Sequence, residues 1–200
     1  AEDEQDIAYA VNVTGAAAVA EAAAVLRVPV IHLSTDYVFS GTDPYPYLED
    51  DEAEPKTVYG YTKLRGERAV ASVNPRHIIL RTSWVYSPLG TNFVKTMLRL
   101  ASTRKEVTVV ADQRGNPSSA LDIADAILSA AVVMGDGGVC GPYHLAGSGT
   151  TSWADFARHV FSSSRARGAP WADVRDITAA EFAALAPRPL NTQLSTGKFA

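Results

Sequence analysis

Tyr59 and Lys63 stand four residues apart at the start of a segment whose pattern predicts a helix, so both side chains share one face, about 6 Å apart along the axis. An ammonium so placed can hold a phenolate. At an effective dielectric near 20 and about 5 Å, the attraction is roughly 3 kcal/mol, enough to lower a tyrosine pKa by about two units from near 10. A phenol tuned in this way is a proton donor to a carbonyl undergoing reduction. The same spacing on an ordinary helix is packing plus a solvated charge, so a second group has to be found. Ser34-Thr35-Asp36-Tyr37-Val38-Phe39-Ser40-Gly41 supplies it, where a predicted strand opens into a long loop. A hydroxyl at a strand's carboxyl end is placed to hydrogen-bond a substrate oxygen beside Tyr59. Taken alone, Ser-Thr-Asp is a turn; the pairing with Tyr59 turns the reading toward chemistry.

The elements that must position these groups follow from hydrophobic periodicity. Ile7, Ala10, Val11, Thr14, Ala17, Ala18 and Val25 recur at helical spacing behind an acidic opening, predicting a helix from about Asp3 to Arg27. Val28-Pro-Val-Ile-His-Leu-Ser34 is a short β-branched run and predicts a buried strand. The loop from Thr35 to Thr57 is long for a connector, and such loops in compact domains are commonly functional. A helix over Val58 to Val73 follows. The alternation then repeats: strand Arg76 to Arg81, helix Asn92 to Thr103, strand Val107 to Ala111, helix Leu121 to Met134, strand Pro142 to Ala146, helix Ser152 to Ser162. It spells an α/β fold with a mostly parallel sheet, which places ligands outside the carboxyl ends of the strands. The loops after Ser34, Arg81 and Ala111 are therefore expected to border the site. Ser162 to Pro189 is richer in Ser, Arg, Ala and Pro, with one brief helical pattern near Ala179 to Leu185, and reads as a lobe or cap.

Two hundred residues with 46% hydrophobic and 20% charged side chains suffice for a folded core and disfavour wholesale disorder. Lys+Arg 18 against Asp+Glu 22 leaves no field that would hold DNA, RNA or an anionic membrane by general attraction. Phosphate binding has to be local. Cys140 is the single cysteine; this excludes an internal disulfide and multi-cysteine metal sites, and suits a reducing, cytoplasmic setting. His32, His77, His144 and His159 are scattered without metal-ligand spacing, and the first three fall in predicted strands, where a hydrogen-bonded core histidine is expected. The most apolar stretch, Ala16 to Leu26, carries Glu21 and falls short of the roughly 18 apolar residues of a bilayer span, so no membrane segment is expected. The Ala-Glu-Asp-Glu start has no methionine, basic flank or apolar core and reads like the interior of a longer gene product.

Asn12-Val13-Thr14-Gly15, the Ser34 to Gly41 run, Tyr59-Gly-Tyr-Thr-Lys63-Leu-Arg-Gly-Glu67, Arg81-Thr-Ser-Trp-Val-Tyr86, Asn92-Phe93 and Asp112-Gln-Arg-Gly-Asn-Pro117 occur in one order. In that order the chain resembles the extended short-chain dehydrogenase/reductases. The pattern continues through Tyr143-His-Leu-Ala-Gly147 and Arg188-Pro-Leu-Asn191 and is similar to the dTDP-4-dehydrorhamnose reductase family over nearly the whole chain. The resemblance implies an incomplete Rossmann-like, doubly wound sheet over residues 1–111, carrying the catalytic residues, and a smaller substrate-binding lobe over residues 112–200, with segments interleaved. It implies NADPH- or NADH-dependent reduction of the C4 keto group of dTDP-4-dehydro-6-deoxy-L-mannose to dTDP-L-rhamnose, with a nucleotide-sugar as partner and a homodimer as a compatible assembly. By the same resemblance Tyr59 is the proton donor, Lys63 orients the nicotinamide ribose and lowers the Tyr59 pKa, and Thr35 polarises the carbonyl. Tyr59 and Lys63 then also contact the cofactor. Asp36 and Trp84 match positions that contact the sugar, an indole giving an apolar wall with one N–H, although a tryptophan after a strand is otherwise plain core. Asn92 approaches the nucleotide diphosphate or caps the following helix. Asn12 belongs to a supporting proton network or is a packing detail.

The sequence departs from the family in two places. The family's glycine-rich dinucleotide turn lies ahead of everything here, since the sequence starts about where the fourth β-α unit would. Gly135-x-x-Gly138-x-x-Gly141 fits the formula but follows a helix and leads into a strand, the reverse of what a phosphate loop needs. Some relatives bind Mg at a dimer interface through a glutamate where this chain has Leu121, so no metal is expected. Asp36-Tyr37 stands where related dehydratases carry Asp-Glu, whose elimination needs further acid/base groups, and this favours simple reduction. A nucleotide-sugar epimerase or another keto-sugar reductase, and a non-catalytic regulatory subunit of the methionine adenosyltransferase type, are the alternatives; retention of Thr35 and Trp84 argues against the last. The Glu49-Asp-Asp-Glu52 run reads as a solvated loop, and Asp122 and Asp125 as exposed or capping carboxylates.

Overall fold

Alanine-rich sequence favours helix at the amino end, and there α1 (Gln5–Tyr9) runs through a π-helical turn (Ala10–Gly15) into α2 (Ala16–Val25). The computed structural model describes residues 1–135, 140–182, 186 and 188–199. The last turn of α2 is closed by Arg27 at φ +56° and by the Val28 amide donating to the Ala23 carbonyl at 2.9 Å. Taken together, Gln5–Val25 is one helix of 21 residues, long and apolar enough to cross a membrane by length and composition alone. It falls within the Asp3 to Arg27 span that the periodicity predicts. It packs against α3 (Val58–Val73), where the Asn12 amide donates to the Thr62 hydroxyl at 3.0 Å.

β1 (Val30–Thr35) pairs in parallel with β2 (His77–Thr82), and β2 with β7 (Gly141–His144), giving a three-stranded sheet in the order β1-β2-β7. The register sets Ser34 beside Arg81 and Thr35 beside Thr82, so two carboxyl ends lie together. Ile78 and Leu80 on β2 pack under Ala130 and Met134 of α5 (Ala120–Gly135). A second cluster joins Val38, Phe39, Tyr47, Leu64 and Leu194, tying the long loop to the carboxyl-terminal segment.

A third cluster contains Met97 and Ala101 of α4 (Phe93–Ala101), Val107 and Val109 of β4 (Glu106–Val110), and Ala154, Ala157, Val160 and Phe161 of α6 (Trp153–Arg165). The mostly parallel α/β class holds, with its strands divided among more than one sheet. β4 pairs in parallel with β9 (Asp173–Ile177), in a sheet separate from β1-β2-β7. β9 lies inside the segment read as a lobe without strands, because Asp173, Arg175 and Asp176 interrupt its apolar pattern and face solvent. Short pairings complete the fold: β3 (Val85–Tyr86) with β6 (Ser118–Ser119) in parallel, and β5 (Arg114–Gly115) with β8 (Thr151–Ser152) antiparallel. α7 (Ala179–Phe182) begins where the sequence predicts it. Its expected end at Leu185, like Gly138 of the formal glycine motif, lies outside the described residues.

Candidate active site

Thr35 is the last residue of β1, and its hydroxyl accepts the Tyr37 amide at 3.2 Å, capping a 3-10 turn over Asp36–Val38. The same hydroxyl donates to Asp36 Oδ1 at 2.9 Å. The next element to arrive is α3, started by Thr57, whose hydroxyl accepts the Gly60 amide at 3.0 Å. Gly60 lets the helix come close: a Cβ there would lie 2.1 Å from the Tyr37 carbonyl oxygen. This contact carries Tyr59 over the end of β1, with the Tyr37 and Tyr59 rings edge to face at 5.9 Å. The Thr35 hydroxyl lies near enough to the Tyr59 phenol to draw its pKa down.

Tyr59 remains 40% exposed, while Asp36 is 3% exposed. Burial pushes the Asp36 carboxyl up to about 7, against the downward pull of the Thr192 and Thr35 hydroxyls and of the Asp36 and Tyr37 backbone amides. Burial also raises the Tyr59 phenol, Thr35 pulls it down, and the Asp36 charge raises it further. This overturns the expected lowering of the Tyr59 pKa by Lys63. Spacing put the two side chains on one face, but the Lys63 ammonium donates to the Leu33 carbonyl of the adjoining strand at 2.7 Å. Burial lowers the Lys63 pKa and Glu67 raises it.

Beneath this surface lies a buried polar chain. Arg81 forms a two-pronged pair with Glu67, Nε to Oε1 at 3.1 Å and NH2 to Oε2 at 2.8 Å. Ser34 donates to the same carboxylate. Arg81 also donates to the Glu49 carbonyl, and the Glu49 carboxylate accepts the His144 amide at 2.9 Å. Glu49 is buried, which corrects the reading of Glu49 to Glu52 as wholly solvated: the peptide amide of β7 holds it in. His144 is a core histidine, as expected, its Nδ1 within 3.1 Å of the Tyr47 and Ser195 carbonyls. Beside the loop after β1, a cleft of about 630 Å³ opens between Gly41 to Pro44 and Pro189 to Asn191, with Lys56, Arg114 and Arg188 around it. Arg188 at its rim draws the Tyr37 pKa down electrostatically, while the cleft is lined by the loop that follows Thr35 and not by Thr35 or Tyr59 themselves.

The sequence profile of the RmlD substrate binding domain matches residues 1–200. The chain belongs to this family. It is 54% identical over 201 residues to the dTDP-4-dehydrorhamnose reductase of Sinorhizobium fredii (strain NBRC 101917 / NGR234), covering 99% of this chain and 68% of that one. It is 45% identical over 202 residues to the enzyme of the same name from Escherichia coli (strain K12), covering 100% and 68%. Among solved structures, it matches dTDP-4-dehydrorhamnose reductase from Bacillus anthracis str. Ames in complex with NADP at TM-score 0.93 and 36% identity, over 99% of this chain and 68% of that one. The Clostridium acetobutylicum ATCC 824 ortholog gives TM-score 0.90 and 38% identity, over 98% and 66%. The chain thus spans about two thirds of the length of these relatives.

Within this RmlD-type fold the predicted site residues divide. Thr35, Asp36 and Tyr59 come together, with Lys63 one turn farther along α3. Trp84 lies just past β2 at φ +46°, stacked on Trp153 at 3.5 Å and 7°, with Gly115 beneath its indole. Any Cβ at Gly115 would stand 2.5 Å from that ring. A non-glycine residue in the left-handed region is strained and needs such a clamp. Asn92 is spent on capping: its Oδ1 accepts the Lys95 amide at 3.2 Å and its Nδ2 donates to the Ser87 carbonyl. Asn12 reaches Tyr59 only indirectly, through Thr62, whose hydroxyl donates to the Tyr59 carbonyl at 3.0 Å. Sequence reasoning missed Tyr37, Thr192, Trp153 and the Glu67–Arg81 pair. Of these, only Glu67 carried a signal, sitting one turn beyond Lys63 on the same face.

Proposed function

We propose that the chain performs NADPH-dependent reduction of the C4 keto group of dTDP-4-dehydro-6-deoxy-L-mannose, giving dTDP-L-rhamnose. The observation that carries this reading is the approach of the Thr35 hydroxyl and the half-exposed Tyr59 phenol at the carboxyl end of β1. Tyr59 gives its proton to the oxygen at C4 as negative charge develops there, and Thr35 donates a hydrogen bond to the same oxygen. Lys63 has three N–H donors. One goes to Leu33, and the others suit ribose hydroxyls, so Lys63 and Tyr59 are the residues of this chain that would hold the nicotinamide end. Bound NADPH supplies the hydride. The diphosphate of the cofactor needs a glycine-rich strand-to-helix turn, for which the described residues provide no counterpart.

The substrate's own charge fits the cleft, where Lys56, Arg114 and Arg188 outnumber Asp43 and Asp112. Two interleaved lobes serve the two ends of the reaction: the β1-β2-β7 sheet with α3 holds the proton donor, and the segments from residue 112 onward complete the cleft through Arg114, Arg188 and Asn191. Tyr59→Phe is expected to lower kcat roughly 100-fold or more while cofactor affinity stays within about threefold. Steady-state turnover of the dTDP-4-keto sugar, together with fluorescence titration of NADPH, checks both. Turnover close to that of the unsubstituted protein removes Tyr59 from the role.

A further inference from the structure

The reduction proposed above asks the Thr35 hydroxyl to donate to a ketone oxygen, yet a hydroxyl has one proton and two lone pairs. One lone pair accepts the Tyr37 amide at 3.2 Å. The proton goes to Asp36 Oδ1 at 2.9 Å. While it stays there, Thr35 has nothing left with which to polarise a carbonyl. The carboxyl that takes the proton is unusual in its surroundings: Asp36 is almost completely buried and its Oδ2 has no hydrogen-bond partner. A buried carboxylate with an unpartnered oxygen is costly, and the neutral acid is much less so. The groups that act on it are the hydroxyls of Thr35 and Thr192 and the amides of its own turn. Tyr37 and Tyr59 interact with it as phenols, Arg188 acts electrostatically on Tyr37, and Lys63 is held by Leu33.

We propose that Asp36 is a positioning residue that decides which way the Thr35 proton points. As a neutral acid, Asp36 donates its O–H to Thr35 Oγ1, fills the second lone pair and frees the Thr35 proton for the substrate's ketone oxygen. As a carboxylate, it takes that proton for itself and leaves the ketone unpolarised. This assignment deepens the reductase reading and rests on it. With the carboxyl at about 7, reduction runs fully at lower pH and fades as pH rises through neutrality. Tyr59 cannot produce that limb, because its phenol is shifted upward from the usual tyrosine range. His32, lowered to about 4 by burial and by Lys63, cannot produce it either.

The test compares kcat for reduction of the dTDP-4-keto sugar by NADPH in the unsubstituted protein and in Asp36→Asn. From about pH 6 to about pH 8 the unsubstituted protein is expected to lose roughly tenfold in kcat, as the neutral fraction of a group with pKa near 7 requires. In Asp36→Asn the amide N–H donates to Thr35 at every pH, so kcat is expected to vary by less than about twofold, with KM also within about twofold. The same pH limb persisting in Asp36→Asn overturns the proposal and moves the limb to another group such as Lys63. A raised KM with the limb intact overturns it too, leaving Asp36 a sugar contact. Infrared or carbon NMR spectroscopy of protein labelled at aspartate carboxyls needs neither turnover nor the variant. A buried acid signal lost between about pH 6 and about pH 8 supports the proposal, and a carboxyl already ionised at about pH 6 overturns it. Absence of reductase turnover at every pH, with that titration intact, counts against the substrate reading and not against the Asp36 assignment.

Discussion

Around α4, β4, α6 and β9 the buried side chains include Met97, Ala101, Val107, Val109, Ala154, Ala157, Val160, Phe161 and Ala172, with Ser164 a small hydroxyl among them and no buried charge. The ion pairs of that region lie at its surface, Arg158 with Asp155 and Asp176, and Arg175 with Glu106. At the end of β1 and β2 the buried set includes Ser34, Thr35, Asp36, Glu67, Arg81 and His144. The Glu67–Arg81 charge there is inside, paired and hydrogen-bonded, and the reactive pair sits on top of it. Hydrocarbon packing gives stability without fixing where a proton lies. A buried polar chain contributes less net stability but over-determines the orientation of each member. The catalytic groups occur in the region with that second kind of order.

Three substitutions separate the two regions. Glu67→Gln keeps the shape but leaves the Arg81 guanidinium buried without its counter-charge and weakens the Ser34 contact. A loss of about 4 kcal/mol in urea unfolding is expected, together with reduced turnover, because Ser34 adjoins Thr35. Little change in stability would mean the buried chain is not a coupled unit. Phe161→Ala opens a void in the apolar cluster and is expected to cost about 3 kcal/mol by the same assay. Turnover at low temperature should stay within about threefold, and a much larger loss would show that the two regions are mechanically coupled. Arg158→Ala removes exposed ion pairs only. Its expected cost is below about 1 kcal/mol and should shrink further in added salt.

Much of the fold is legible in the sequence. The helix Val58–Val73 is found with the same ends, because Thr57 caps it and its apolar period is unbroken. β1 and β2 fall within two residues of their expected bounds, being short β-branched runs. Thr35 and Tyr59 are legible as a pair for the same local reasons. β9 is not, since its alternation is one of charges and its stability comes from β4, distant in sequence. Glu49 looks like part of a solvated acidic run until the His144 amide of β7 claims it. Lys63 shows the limit of spacing arguments: helix geometry says which face a side chain leaves from, and the partner at its far end belongs to another element.

The order of residues alone determined the helices, most strands, the glycine and hydroxyl positions around the end of β1, and the kind of chemistry a phenol, an ammonium and an alcohol can do. These follow from local periodicity and capping, which act over a few residues. Only the tertiary structure decided that Asp36 is sealed from water beside Thr35, that Asn92 is a cap, and that Trp84 is clamped between Trp153 and Gly115. Desolvation is the reason. The protonation and orientation of a buried polar group depend on every atom that excludes water from it, and those atoms come from segments far apart in the chain.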